Sequence, residues 1–78
     1  MKLWFYPNDH EPPHFHAKRT GEWEVRVHFL QGPGEMFELV WAAKKAQMPK
    51  ADRELLQHMV ETHRIEIFRE WEQKVNPS

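Results

Sequence analysis

Three of the chain's six histidines fall in one short stretch, Asn8-Asp9-His10-Glu11-Pro12-Pro13-His14-Phe15-His16. Imidazole is the side chain whose ordinary pKa lies closest to working pH, so such a concentration raises two kinds of chemistry. One is metal ligation. His14 and His16 are spaced to offer two nitrogens from one strand to zinc or another divalent transition metal. His10 or His28 would supply a third ligand, and Asp9 or Glu11 a ligand or an outer acceptor. A structural zinc site ordinarily takes about four ligands, and spacing alone does not close that set. The other is acid–base chemistry on a phosphodiester, in which one imidazole takes a proton, another gives one, and a cation stabilises the developing charge. His14, His16 and His28 are the candidate acid and base, with Arg26 or Lys18 as the cation. A third reading involves no chemistry: His, Arg and Glu are ordinary residues on the wet face of a sheet. Sequence leaves all three open.

Any of these sites needs strands to hold it. Lys2 to Tyr6 alternates and is rich in aromatics, and Pro7-Asn8-Asp9 ends it with turn chemistry. Pro12-Pro13 keeps the chain extended and cannot donate to a ladder, so His14 to Lys18 reads as a short second strand. Trp23 to Phe29 alternates apolar and polar over its whole length and is the clearest strand. Gln31-Gly32-Pro33-Gly34 is a loop, and Glu35 to Trp41 is a fourth strand with Phe37, Leu39 and Trp41 on one face.

Parity then restricts how the second and third strands pair. Opposed residues of an antiparallel pair point to the same side, so Phe15 must meet the face of Trp23, Val25, Val27 and Phe29. A two-residue loop at Thr20-Gly21 would set His16 against Val25 and breaks this rule. A three-residue loop, Thr20-Gly21-Glu22, sets Phe15 against Val27, His16 against Arg26 and His14 against His28, and three-residue hairpins with a Gly are common. That register gathers His14, His16, His28, Arg26 and Glu24 on the face away from the core, with Asp9-His10-Glu11 at one end.

After Ala42 the period changes from two to 3.6. Pro49 suits the first turn of a helix. Leu55, Leu56, Met59, Val60 and His63 share one side, and Ile67, Phe68, Trp71 and Val75 continue a stripe whose centre has drifted by nearly a quarter-turn. A straight helix of this extent would be about 39 Å long, more than so small a domain covers. A bend or break near Thr62-His63 is therefore expected, with either residue as a second N-cap. The expected fold is α+β: an antiparallel four-stranded meander within residues 2–41, with a C-terminal helix or two helices, about 49–75, packed on one face. Residues 1–78 read as a single domain. Trp41 and Trp71 are expected as core anchors between helix and sheet, His58 and His63 as helix-surface or cap residues, and Lys44-Lys45 with Lys50 as a solvated basic stretch.

The absence of cysteine excludes disulfide scaffolds, thiolate metal sites and cysteine nucleophiles. A net charge of −1 argues against strong non-specific nucleic-acid binding, though not against a local basic patch. No apolar run approaches the length of a membrane span, the start MKLWFYPND does not read as a signal peptide, and a cytoplasmic location is expected. A chain of this length buries only about 60–65% of its unfolded surface, so a partner is expected to supply part of the core.

The run NDHEPPHFHAK, the Gly-containing turn and alternating strand after it, and the helical ETHRIEIFREW together resemble a small bacterial family marked by a D-H-x-P-P-H-F-H-A signature. Its members, long labelled a domain of unknown function, are similar in length to this chain. The signature positions here are Asp9, His10, Pro12, Pro13, His14, Phe15, His16 and Ala17. Members are commonly encoded beside a second small protein, and some are classed as the toxin of a type II toxin–antitoxin pair, the DhiT type, with that neighbour as antitoxin. The resemblance thus implies a toxin-like protein held by a small cognate antitoxin. A toxin of this size would act on RNA, with the histidine face as its site. The rival expectation is a non-enzymatic protein-binding module whose histidines are structural or bind a metal. Such a domain would add a strand to a partner or form a homodimer.

Overall fold

In the computed structural model, which describes residues 1–7, 12–43 and 47–75, the four strands run in sheet order β1-β2-β3-β4, all antiparallel. They are β1 (Lys2–Trp4), β2 (Phe15–Arg19), β3 (Trp23–Val27) and β4 (Phe37–Ala42), followed by one helix, α1 (Lys50–Lys74). The α+β meander with a C-terminal helix is therefore the fold. Asp9, His10 and Glu11, and the Lys44-Lys45 pair, lie outside the described residues.

The β2–β3 hairpin has the register that parity demanded: Phe15 opposes Val27 and His16 opposes Arg26. Thr20-Gly21-Glu22 is its loop. The Glu22 N–H donates to the Arg19 carbonyl at 2.9 Å, and Gly21 takes φ 79°, the left-handed region a side chain resists. Phe15, Ala17, Trp23, Val25 and Val27 thereby share one buried face. β1, β3 and β4 are shorter than their alternation suggested, and β2 is shifted by one residue. β1 stops at Trp4 rather than Tyr6, β2 begins at Phe15 rather than His14, and β3 ends at Val27, although Phe29 beyond it is fully buried. β4 starts at Phe37 rather than Glu35. The ladder frays at this end because Pro13 has no amide hydrogen to give and the chain turns after β3, with Gln31 N–H bonded to the His28 carbonyl at 3.0 Å.

β4 carries the main departure. Val25 opposes Leu39 but Glu24 opposes Trp41, so one extra residue of β4 is inserted between those two rungs. A bulge of this kind reverses which face the later residues take. Phe37 and Leu39 stay on the core side, while Trp41 crosses to the side of Glu24 and remains 40% exposed. Trp41 is thus not a core anchor. Trp71 is, at 2% exposed.

α1 is one helix with a bend. Pro49 is its N-cap residue rather than a member of its first turn, and its carbonyl accepts the Arg53 N–H at 3.1 Å. His63 leaves helical geometry (φ −121°, ψ 23°), at the place where the apolar stripe changes centre. Glu66, three residues on, pairs with the His63 ring across this bend, Oε2 to Nδ1 at 3.3 Å. Leu56, Val60 and Trp71 are buried against the sheet, with Met59, Ile67, Phe68 and Val75 partly so. Leu55, read as part of the stripe, is 57% exposed. Among the described residues two polar ties join the helix to the rest of the fold. Near its N-terminus Asp52 accepts from Arg19 and from the Trp23 indole. Just past the bend, the Arg64 Nε–H donates to the Phe29 carbonyl at 2.7 Å. Among the described residues no helix is long and apolar enough to cross a membrane.

Candidate functional site

The register turns the face opposite the core into a small grid. One row reads Lys2, Lys18, Glu24, Trp41 and the next Trp4, His16, Arg26, Glu38. His14 and His28 lie one step beyond, with ring centroids 5.5 Å apart. Sequence parity had placed His14, His16, His28, Arg26 and Glu24 here, and the structure brings all five to this face.

The histidines are not a solvated row. His14 is 8% and His16 4% exposed. Trp4 stacks on the His16 ring at 5.4 Å with planes 21° apart, Tyr6 meets it edge-on at 4.5 Å, and the His14 ring lies 5.1 Å away. The reading of a wet, featureless sheet face therefore fails for these two. Trp4 of β1 and Tyr6 just after it cover the His16 imidazole.

Two ring nitrogens have an assigned role from their partners alone. His14 Nδ1 lies 2.8 Å from the Pro12 carbonyl oxygen. A carbonyl only accepts, so the proton is on Nδ1, and in the neutral ring Nε2 is the basic nitrogen. The Pro12-Pro13 lead-in thus supplies the acceptor that sets the ring's tautomer. His28 donates from Nε2 to Glu38 Oε1 at 2.9 Å. Arg26 Nη1 donates to Glu38 Oε2, also at 2.9 Å. The His28 bond, helped by the charge of Arg26, holds the Glu38 carboxyl below the usual carboxylate range. This corner is open to solvent: the Arg26 side chain is 42% and the Glu38 side chain 51% exposed.

A metal would need several imidazoles or carboxylates turned to one point. Among the described residues no group of three or more His, Asp or Glu side chains is placed to hold one. His14 Nδ1 and His28 Nε2 are occupied by Pro12 and Glu38. His10, the remaining candidate ligand, lies outside the described residues, as does signature residue Asp9. Of the other signature positions, Phe15 and Ala17 face the core, and Pro12 and Pro13 precede β2. His58 and His63 are exposed on α1, away from the cluster.

Lys2, Trp4, Tyr6 and Glu38 were missed as members of this face. Glu38 was legible, since it alternates with Phe37 and Leu39. The β1 residues were not, because parity fixes a register only when the connection is short, and the segment joining β1 to β2 is long.

No curated protein matches this chain, and no solved structure does. A family model does match, over residues 1–72, nearly the whole length and with every strand and most of α1 inside it. The chain belongs to the family described as Domain of unknown function (DUF4160).

Proposed function

We propose that this chain is the toxin-like component of a two-protein bacterial pair and that it acts on RNA through the histidine face. The toxin part rests on the signature resemblance. The RNA part rests on one observation: Arg26 and His28 converge on a single oxyanion, each donating at 2.9 Å to a different oxygen of Glu38. Two donors aimed at neighbouring oxygens also suit a phosphate, and the guanidinium fork is the usual partner of one. Glu38 is exposed enough to swing away and release them. The His14 ring lies 5.5 Å from that of His28, and His14 and His16 are too buried to meet a polymer directly. They position the site from beneath, and Arg26 with His28 makes the contact.

The test is expression without and with the neighbouring gene. Wild-type chain alone is expected to arrest growth, and the neighbour to relieve it. Arg26→Gln with His28→Gln is expected to abolish the arrest while thermal melting stays within a few degrees. His14→Ala with His16→Ala is expected to abolish it as well, with a lower melting temperature. Equal growth in every case refutes the toxin reading.

One observation favours the protein-binding reading. β4 is an edge strand, and Leu39, Val40 and Trp41 are each 40–43% exposed along it. A long apolar edge with few charges is a ready template for strand addition. In the toxin reading this edge is where the antitoxin docks. If the neighbouring protein co-purifies with the chain but no growth effect exists, the binding-module reading replaces the first.

A further inference from the structure

Lys2 and Lys18 stand directly opposite each other on β1 and β2. Like charges in opposed positions of an antiparallel pair are unfavourable, and sequences usually avoid them on an exposed face. Here both ammonium groups also lean over the same indole, Lys2 Nζ at 5.8 Å and Lys18 Nζ at 5.6 Å from the Trp4 ring centre. The ring is in turn backed by the stacked His16 imidazole. Among the described residues neither ammonium lies within 4.0 Å of a carboxylate, although Glu24 faces Lys18 across the β2–β3 ladder. The two lysines thus share one aromatic platform, and among the described residues their charges have no close counter-ion. Beside them Tyr6 packs edge-on against Trp4 at 5.7 Å and is 47% exposed.

We infer that Lys2 and Lys18, seated on Trp4, form a second phosphate-binding position on the histidine face, which takes a backbone phosphate of single-stranded RNA while Tyr6 offers a stacking surface to a base. This inference rests on the RNA reading and extends it from Arg26 on β3 and His28 just beyond it to the β1 edge. An anion between the two lysines removes the repulsion that the register imposes. Paired cations with an exposed aromatic neighbour are what single-strand binding surfaces use, charge for the backbone and ring for the base. The near-neutral charge of the whole chain is no obstacle, because the cations concerned are concentrated on one face.

The experiment is fluorescence anisotropy with a labelled single-stranded RNA oligonucleotide over a range of salt concentrations. Lys2→Gln with Lys18→Gln is compared with a charge-matched control on the helix, Lys50→Gln with Lys74→Gln. Each phosphate contact to a single strand contributes about 0.7 to the slope of log affinity against log salt. The sheet-face pair is expected to lose about 0.7–1.4 of slope and about tenfold in affinity at low salt, and the control pair far less. Lys2→Arg with Lys18→Arg keeps the charge and is expected to retain binding. Tyr6→Ala is expected to weaken RNA but not polyphosphate. If wild type binds RNA and the two Gln pairs behave alike, the inference is overturned and the Arg26–His28 site stands. If Tyr6→Ala weakens both ligands equally or neither, the nucleic-acid assignment of this position is overturned. If wild type does not bind RNA, the RNA reading falls and this inference with it.

Discussion

Asp52 offers the sharpest test of how the helix is joined to the sheet. Its carboxylate accepts from Arg19 Nη2 at 2.8 Å, from Arg19 Nε at 3.3 Å and from the Trp23 indole at 3.1 Å. Trp23 is 1% exposed, so in Asp52→Ala a largely buried N–H loses its acceptor. An unsatisfied buried donor costs about 1–3 kcal/mol. Asp52 also lies in the first turn of α1, where a negative charge contributes about 0.3–1 kcal/mol through the helix dipole. The Arg19 guanidinium returns to water and is left out of the sum. A loss of about 2–3 kcal/mol follows, which for a domain of this size lowers the melting temperature by about 10–20 °C. Asp52→Asn keeps an acceptor for Trp23 and is expected to fall between the two. The pH dependence gives an independent check. Hydrogen bonding from Arg19, and then from Trp23, holds the Asp52 carboxyl below its ordinary value. A carboxyl whose folded pKa is depressed stabilises fully above its unfolded pKa, about 3.9, and loses that contribution as pH falls toward the folded value. The gap in melting temperature between wild type and Asp52→Asn is therefore expected to stay constant from neutral pH down to about 5 and to close below about 4. A drop of less than about 4 °C for Asp52→Ala, or a gap that does not close in acid, refutes the clamp.

The remaining predictions concern single packing and backbone features. Trp41→Ala and Trp71→Ala separate the two tryptophans. The first removes a ring 40% exposed on the face away from the core and is expected to shift melting only slightly, while the second empties a buried site and costs about 3–5 kcal/mol. Equal losses would mean that the β4 bulge does not exist. Leu56→Ala is expected to cost about 2–5 kcal/mol in chemical denaturation and Leu55→Ala well under that, because only Leu56 is buried. Gly21→Ala meets no atom within 4 Å but must adopt φ 79°, so about 1–2 kcal/mol of backbone strain is expected in urea unfolding. A neutral result there would mean that the hairpin loop is not the three-residue form.

The readable parts of this fold are those in which a face had to be buried. Phe15 could not sit among Glu24, Arg26 and His28, so the β2–β3 register followed from parity and one Gly. The placement of His14, His16, His28 and Arg26 on a common face came with it. The drift of the apolar stripe marked the bend at His63, because a straight helix cannot keep two differently centred stripes on one sheet. Sequence alone did not decide what covers the histidines. Trp4 and Tyr6 reach His16 only because β1 pairs with β2 at Leu3–Ala17, a register set across a long connection with no local signal. Nor did it decide the side taken by Trp41. One inserted residue reverses parity, and the alternation of Phe37, Leu39 and Trp41 looks the same with or without it. Short-range periodicity therefore determined the faces of β2 and β3 and the hairpin between them, whereas the tertiary structure decided which distant strand closes over the site and where the ladder slips.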